Sequence, residues 1–122
     1  MRISFDYDGV LVDTEFVKTC AQTHIIMGLF SNIPNIELVI LTTRSEKNSP
    51  VDVIYKDKFK QIIYTNGKDK HEVIDDYKID LHFDDDILEV VEINEKCKAK
   101  AFLVGFDFSQ IEWAVFELNK LR

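Results

Sequence analysis

Two aspartates one residue apart, Asp6 and Asp8, close a short β-prone run and are followed at once by Gly9. In a strand, side chains two apart share a face, but here the strand is ending and the glycine permits a sharp turn. The two carboxylates can therefore splay around one point. Like charges held that close repel each other, a cost that a cation or a substrate would offset. Phosphoryl transfer can use such a pair. One carboxylate attacks phosphorus, the other serves as acid and then base, and a divalent metal lies between carboxylate and phosphate. An Asp-Gly turn is also common without any chemistry, so the pair needs company.

That company depends on the elements around it. After the first strand, 14–30 reads as a helix, with Phe16, Val17, Cys20, Ala21, His24, Ile25 and Gly28 at the spacing of one face; His24 reads as a packed core or boundary histidine. Glu37–Thr42 is a continuous apolar run, the mark of a strand buried on both faces of a parallel sheet. Ser45–Lys58 is expected to form a helix or helical turn. Lys60–Tyr64 reads as the third strand, closed by Thr65-Asn66-Gly67, and Lys68–Tyr77 as a short helix. Asp80–Phe83 is the fourth strand, ended by Asp84-Asp85-Asp86, and Ile87–Lys98 the next helix, with Ile87, Val90, Val91 and Asn94 near one face. Ala101–Phe106 is the fifth strand. Ser109-Gln110-Ile111-Glu112 is a capping-box pattern that opens a last helix. Strands alternating with helices predict an α/β domain, a three-layer α/β/α arrangement on a five-stranded parallel sheet.

At 122 residues the chain is sized for a single domain, 1–122. Its 46% apolar and 30% charged residues are those of an ordinary globular protein. No apolar run approaches the roughly 20 residues that cross a bilayer, and no apolar leader precedes the first strand. The expectation is a cytoplasmic protein with no membrane partner. Cys20 and Cys97 lack the spacing of a zinc or redox motif and read as free thiols. A net charge of −7 excludes a general nucleic-acid binder. It leaves room for an anionic substrate, because much of the excess sits in the aspartate clusters, where Mg²⁺ would cancel part of it.

In open α/β sheets, ligands bind beyond the C-terminal ends of the strands. Asp6 and Asp8 end the first strand, Thr42 the second, and Asp84 to Asp86 the fourth, while Lys70 opens the helix after the third. All fall on one edge. For a phosphate ester, Asp6 would be the nucleophile and Asp8 the acid and base. Asp84 and Asp85 would complete an oxygen-rich Mg²⁺ site with Asp6. Thr42 and Lys70 would hold the phosphate oxygens. Each also has an ordinary reading: Thr42 a strand-end hydroxyl, Lys70 a solvated lysine, Asp84-Asp85-Asp86 a cap for the following helix.

Taken in order, these residues resemble the haloacid dehalogenase (HAD) superfamily of phosphohydrolases, which have a Rossmann-like fold. Asp6-Tyr7-Asp8-Gly9 matches the family's first motif, within Phe5–Glu15. Leu38-Val39-Ile40-Leu41-Thr42, continuing as Thr43-Arg44, matches the second. Lys70, or alternatively Lys68, is the third, and Phe83-Asp84-Asp85 the fourth. The resemblance implies Mg²⁺-dependent phosphoryl transfer through an aspartyl phosphate on Asp6. The metal would lie on Asp6, Asp84, Asp85 and the backbone carbonyl of Asp8, and the phosphate on Thr42, Thr43 and the lysine. Retention of Asp8 is similar to the phosphatases of the family. Neither gap between motifs holds the roughly 50 residues of a cap domain, so the expectation is a capless member. An open site of that kind suits a small phosphate ester, a nucleic-acid end or another macromolecule, or a site enclosed by a second subunit of a homo-oligomer. The lysines Lys56, Lys58, Lys60, Lys68 and Lys70 either attract a polyanion or form a solvated face. Two further functions share these residues: a metal- and phosphate-binding regulatory module without turnover, and a phosphotransferase.

Overall fold

The computed structural model describes residues 1–12, 21–52 and 56–104. Five parallel strands form one sheet: β1 (Arg2–Phe5), β2 (Glu37–Thr42), β3 (Gln61–Tyr64), β4 (Leu81–Asp84) and β5 (Lys100–Leu103), in the order β3-β2-β1-β4-β5. β1 is central, with β2 on one side (Phe5 beside Ile40) and β4 on the other (Phe5 beside Phe83). The chain runs from β1 outward through β2 to β3 and then crosses to β4 and β5 on the other side, so β1 stands at the switch point beyond whose C-terminal end ligands bind in open α/β sheets.

The sheet is apolar on both faces, as the unbroken run in β2 predicts. Ile40 joins Ile3, Phe5 and Phe83 on one face, packed by Met27 of helix α1 (Ala21–Phe30). Val39 and Leu41 point to the other face, with Ile74 and with Ile93 of helix α2 (Ile87–Lys96). Helices therefore cover both faces. Ile3, Phe5, Ile40 and Ile93 are wholly buried, each contributing about 1.5–3 kcal/mol. Phenylalanines run across the sheet in register: Phe83 stacks on Phe5 at 5.3 Å and on Phe102 at 5.4 Å.

Several expectations shift. The helix over 14–30 is described only as α1; its first part, with Cys20, lies outside the described residues, as do Phe106 and the helix after Ser109. His24 is exposed rather than packed, on the rim of a groove with Met27, Phe30, Ile33 and Leu38. The described parts of 45–58 form turns and a 3-10 turn (Lys56–Lys58) that tucks Val51 and Phe59 into the core. The helix expected over 68–77 is a single 3-10 turn, Lys70–Glu72, and further turns. The Asp75 carboxylate is committed elsewhere, to the N–H groups of Lys98 and Ala99, which draws this stretch out of a helical path. On α2 the inward residues are Val90, Ile93 and, beyond its end, Cys97. Asn94 is exposed, and its amide brackets the backbone of Ala101. Cys97 is a free thiol whose Sγ donates to the His71 carbonyl at 3.2 Å. No helix among the described residues is long and apolar enough to cross a membrane.

Candidate active site

Asp6 sits one residue beyond β1, its N–H donating to the Phe83 carbonyl at 2.9 Å. The turn that follows folds onto one carbonyl. The N–H groups of Leu11 and Val12 donate to the Tyr7 carbonyl at 3.0 Å, and Val10 and Leu11 are buried beneath. Gly9 makes this possible at φ +80°. A side chain there would also collide with Asp85, since a Cβ would lie 2.0 Å from its Oδ2. Glycine thus lets the first turn and the Asp85 carboxylate share one place.

Asp6 Oδ1 accepts the Tyr7 N–H at 2.8 Å and lies 2.9 Å from Lys70 Nζ. The lysine arrives from the opposite loop, which is laced to the end of β2. Thr65 N–H donates to the Thr42 carbonyl and Gly67 N–H to the Thr43 carbonyl, with Asn66 and Gly67 both at positive φ. Lys70 is 3% exposed, and its Nζ is 2.6 Å from Asp84 Oδ2. Burial works against its charge, but Asp84 and Asp6 more than compensate and hold the ammonium well above the usual lysine range.

Asp84, at the end of β4, is wholly buried. Its Oδ2 also takes His82 Nε2 at 2.8 Å, and its Oδ1 takes the Asp86 N–H at 3.0 Å. Burial alone would favour the protonated acid, yet Lys70 and His82 keep this carboxyl far below the ordinary range. Asp6 goes the other way: burial, then the charge of Asp84, raises it well above the ordinary range against the pull of Lys70. Asp85 is pushed up to about 6 by burial and by Asp84, and is hydrogen-bonded to Asp6. Two of the three carboxyls are therefore raised, the behaviour of an acidic cluster with too little positive charge. Ligand oxygens of Asp6, Asp84 and Asp85 lie within 4.8 Å of one another. Hard carboxylate oxygens at that spacing fit Mg²⁺, and a cation there would ionise Asp6.

Asp8 is held apart from that cluster. Arg44 forks onto it, Nε to Oδ2 at 2.9 Å and Nη2 to Oδ1 at 2.8 Å, and lies over the Tyr7 ring at 4.8 Å. Thr42 is buried, and its hydroxyl oxygen accepts the Arg44 N–H at 3.2 Å, so its own O–H is free to donate.

The structure thus brings together Asp6, Lys70, Asp84 and Asp85, with Thr42 and Asp8 joined through Arg44. Thr43 is exposed and engaged through its carbonyl. Lys68 is exposed, so of the two lysines it is Lys70 that reaches the aspartates. With Lys70 inside, the described lysines of the group around β3 that remain exposed are Lys58, Lys60 and Lys68. Asp86 caps α2 by accepting the Leu88 N–H at 3.0 Å, the helix-cap role expected of the aspartate triplet. Sequence reasoning missed Ser4, His82 and the grip of Arg44 on Asp8. The signal for the first two was a repeated polar-Phe-Asp, Ser4-Phe5-Asp6 and His82-Phe83-Asp84, on two strands that pair Ser4 with His82. Compared with known proteins, the chain matches no family model, no curated protein and no solved structure.

Proposed function

We propose that this protein is a Mg²⁺-dependent phosphomonoester hydrolase of HAD-like, Rossmann-like fold that works through an aspartyl phosphate on Asp6. The observation that carries the reading is the buried Lys70 ammonium, 2.9 Å from Asp6 and 2.6 Å from Asp84, beside a third carboxylate on the same strand-end edge. A structural ion pair needs one carboxylate, whereas a cation shared between two, with a third carboxylate alongside, suits a site that also expects a metal and a phosphate. The strand order, with β1 between β2 and β4, supports the same fold.

In this reading Asp6 attacks phosphorus as the bond to the leaving oxygen breaks, and Asp8 supplies that oxygen with a proton. Asp8 then takes a proton from the water that attacks the aspartyl phosphate, which releases inorganic phosphate and restores Asp6. Lys70 and the Thr42 hydroxyl face the charge that builds on the phosphoryl oxygens. Bound Mg²⁺, held by Asp6, Asp84, Asp85 and the Asp8 carbonyl, would supply charge neutralisation. Without a cap, the accessible side of the site suits small phosphate esters and polymer ends alike.

One observation favours a second reading, a binding module without turnover. Arg44 occupies both Asp8 oxygens, and an acid must free one of them to pass a proton. The test is phosphate release from an aryl phosphate with Mg²⁺, with EDTA, and with Asp6→Asn. Release that requires both metal and Asp6 is the expected result. Mg²⁺ and phosphate binding by calorimetry with no ester hydrolysed would favour the binding module.

A further inference from the structure

Behind the cluster runs a hydrogen-bonded chain whose far members, Ser4 and His82, the reaction does not touch. Ser4 Oγ lies 2.6 Å from His82 Nδ1, His82 Nε2 lies 2.8 Å from Asp84 Oδ2, and the same oxygen is 2.6 Å from Lys70 Nζ. Ser4, His82 and Asp84 are all wholly buried. Because Ile3, Phe5 and Phe83 face the α1 side, alternation turns Ser4, His82 and Asp84 to the α2 side, the side from which Lys70 comes. A polar pair wholly buried in the middle of a sheet costs stability unless its partners are fully satisfied. Valine and leucine would fill the same space at no such cost, so the pair needs a purpose.

The donor count supplies one. The Asp84 carboxylate only accepts, so His82 Nε2 carries the hydrogen. The other ring nitrogen, Nδ1, is held by the Ser4 hydroxyl at 2.6 Å, which fixes the plane of the ring. Each carboxylate oxygen offers about two lone-pair positions. Lys70 and His82 fill both on Oδ2, and the Asp86 N–H takes one on Oδ1, leaving a single position there for a metal. Without His82, Oδ2 would have a vacant position and the carboxylate would be free to rotate, carrying Lys70 off its line to Asp6.

We propose that His82, oriented by Ser4, is a positioning residue. It divides the labour of Asp84, committing Oδ2 to the lysine and Oδ1 to the metal, and so keeps the Lys70 ammonium on Asp6. This rests on the hydrolase reading for its consequence in kcat, but not for its geometry. Partners behind a ligating carboxylate of this kind typically affect activity ten- to a hundredfold.

Two measurements on the full chain test it, using His82→Leu, His82→Gln and Ser4→Ala, each checked for folding by its thermal melt. Gln is the rescue variant, since its amide nitrogen reaches the place of Nε2 and still donates to Asp84. The first measurement is acylation of lysines by an N-hydroxysuccinimide ester, read by mass spectrometry. Lys70 is expected to be protected relative to Lys68 in the parent protein and in His82→Gln, and to lose that protection at least tenfold in His82→Leu. Protection of Lys70 unchanged in a folded His82→Leu overturns the proposal. If His82→Leu does not fold, Ser4→Ala decides, with a smaller loss of protection expected and none counting against. The second measurement pairs kcat with Mg²⁺ affinity. His82→Leu is expected to lower kcat ten- to a hundredfold and to weaken the Mg²⁺ affinity measured without substrate, since both Asp84 oxygens lose their fixed places, and His82→Gln to recover most of both. Losses in a folded His82→Leu that Gln does not recover also overturn it. A parent protein that hydrolyses no ester while the labelling follows expectation would sink the hydrolase reading and leave the positioning role standing.

Discussion

Replacing Lys70 with methionine removes an ammonium that two buried carboxyls share while keeping the length and most of the apolar stem of the side chain. Breaking a buried ion pair from one side typically costs about 3–5 kcal/mol, because the remaining charge is left without compensation. Here the cost falls toward the lower figure. Asp6 already leans toward its protonated form and can neutralise, while Asp84 keeps His82 and the Asp86 N–H. We expect a loss of about 3 kcal/mol at pH 7, and a melting temperature lower by roughly 10–15 °C for a domain of this size. Lys68→Met, at an exposed position two residues earlier, should stay within about 0.5 kcal/mol. Urea denaturation of both variants measures the contrast. The pH profile carries a second signature. The Asp84 carboxyl is held below its unfolded value, so its contribution is complete above the ordinary carboxylate range and fades as pH falls toward the depressed value. Lys70→Met removes much of that depression, so the gap between parent and variant should be widest near neutrality and narrow below about pH 4. A gap under 1 kcal/mol at pH 7, or one matched by Lys68→Met, would refute the reasoning.

Gly9→Ala forces a side chain into positive φ, which costs about 1–2 kcal/mol, and drives Asp85 from its place; calorimetry should show Mg²⁺ affinity ten- to a hundredfold weaker. Arg44→Ala frees the Asp8 carboxylate, and kcat/KM should fall at least tenfold through lost orientation. Arg44→Lys should restore little of it, since one amine cannot hold both oxygens. Glu89 is pushed up to about 7 by burial, and its Oε2 is buried without a hydrogen bond. The folded state therefore binds the extra proton between roughly pH 4.5 and 7, and stability should decline as pH rises through that range. Thermal melts should show Glu89→Gln more stable than the parent at pH 8 by roughly 1 kcal/mol, after allowance for the solvent exposure of this side chain, and no more stable at pH 4.

The strands were legible in the sequence because each is a short apolar run bounded by breakers. Their boundaries moved by one to three residues, with β4 starting at Leu81 and β5 ending at Leu103. The stretch from Lys68 to Tyr77 misled because apolar residues at helical spacing, His71, Ile74 and Tyr77, do not distinguish a helix from a run of turns. What decided it was the commitment of Asp75 to a distant backbone, a contact no local pattern encodes. Residues of the site were legible by type and by strand end, since topology alone brings Asp6, Thr42 and Asp84 to one edge. The choice of Lys70 over Lys68 was not. It depends on how the turn at Thr65–Gly67 is tied to β2, and that tie is made between residues 22 or more apart. Ser4 and His82 were hidden for a related reason: each looks unremarkable until β1 and β4 are placed side by side.

That same turn acts as a length gauge. Surface loops ordinarily accept extra residues at small entropic cost, and this one looks like any other on the outside. Yet the Thr65 hydroxyl is fastened to the Lys68 carbonyl at 2.7 Å, the Thr65 N–H to Thr42 at the end of β2, and the Gly67 N–H to Thr43 just beyond it. One inserted residue between Gly67 and Lys70 would carry the ammonium away from both aspartates without disturbing a single strand. Added length leaves the spacing of the charges untouched only away from this turn, as in the stretch 31–36 at the opposite, N-terminal end of the sheet.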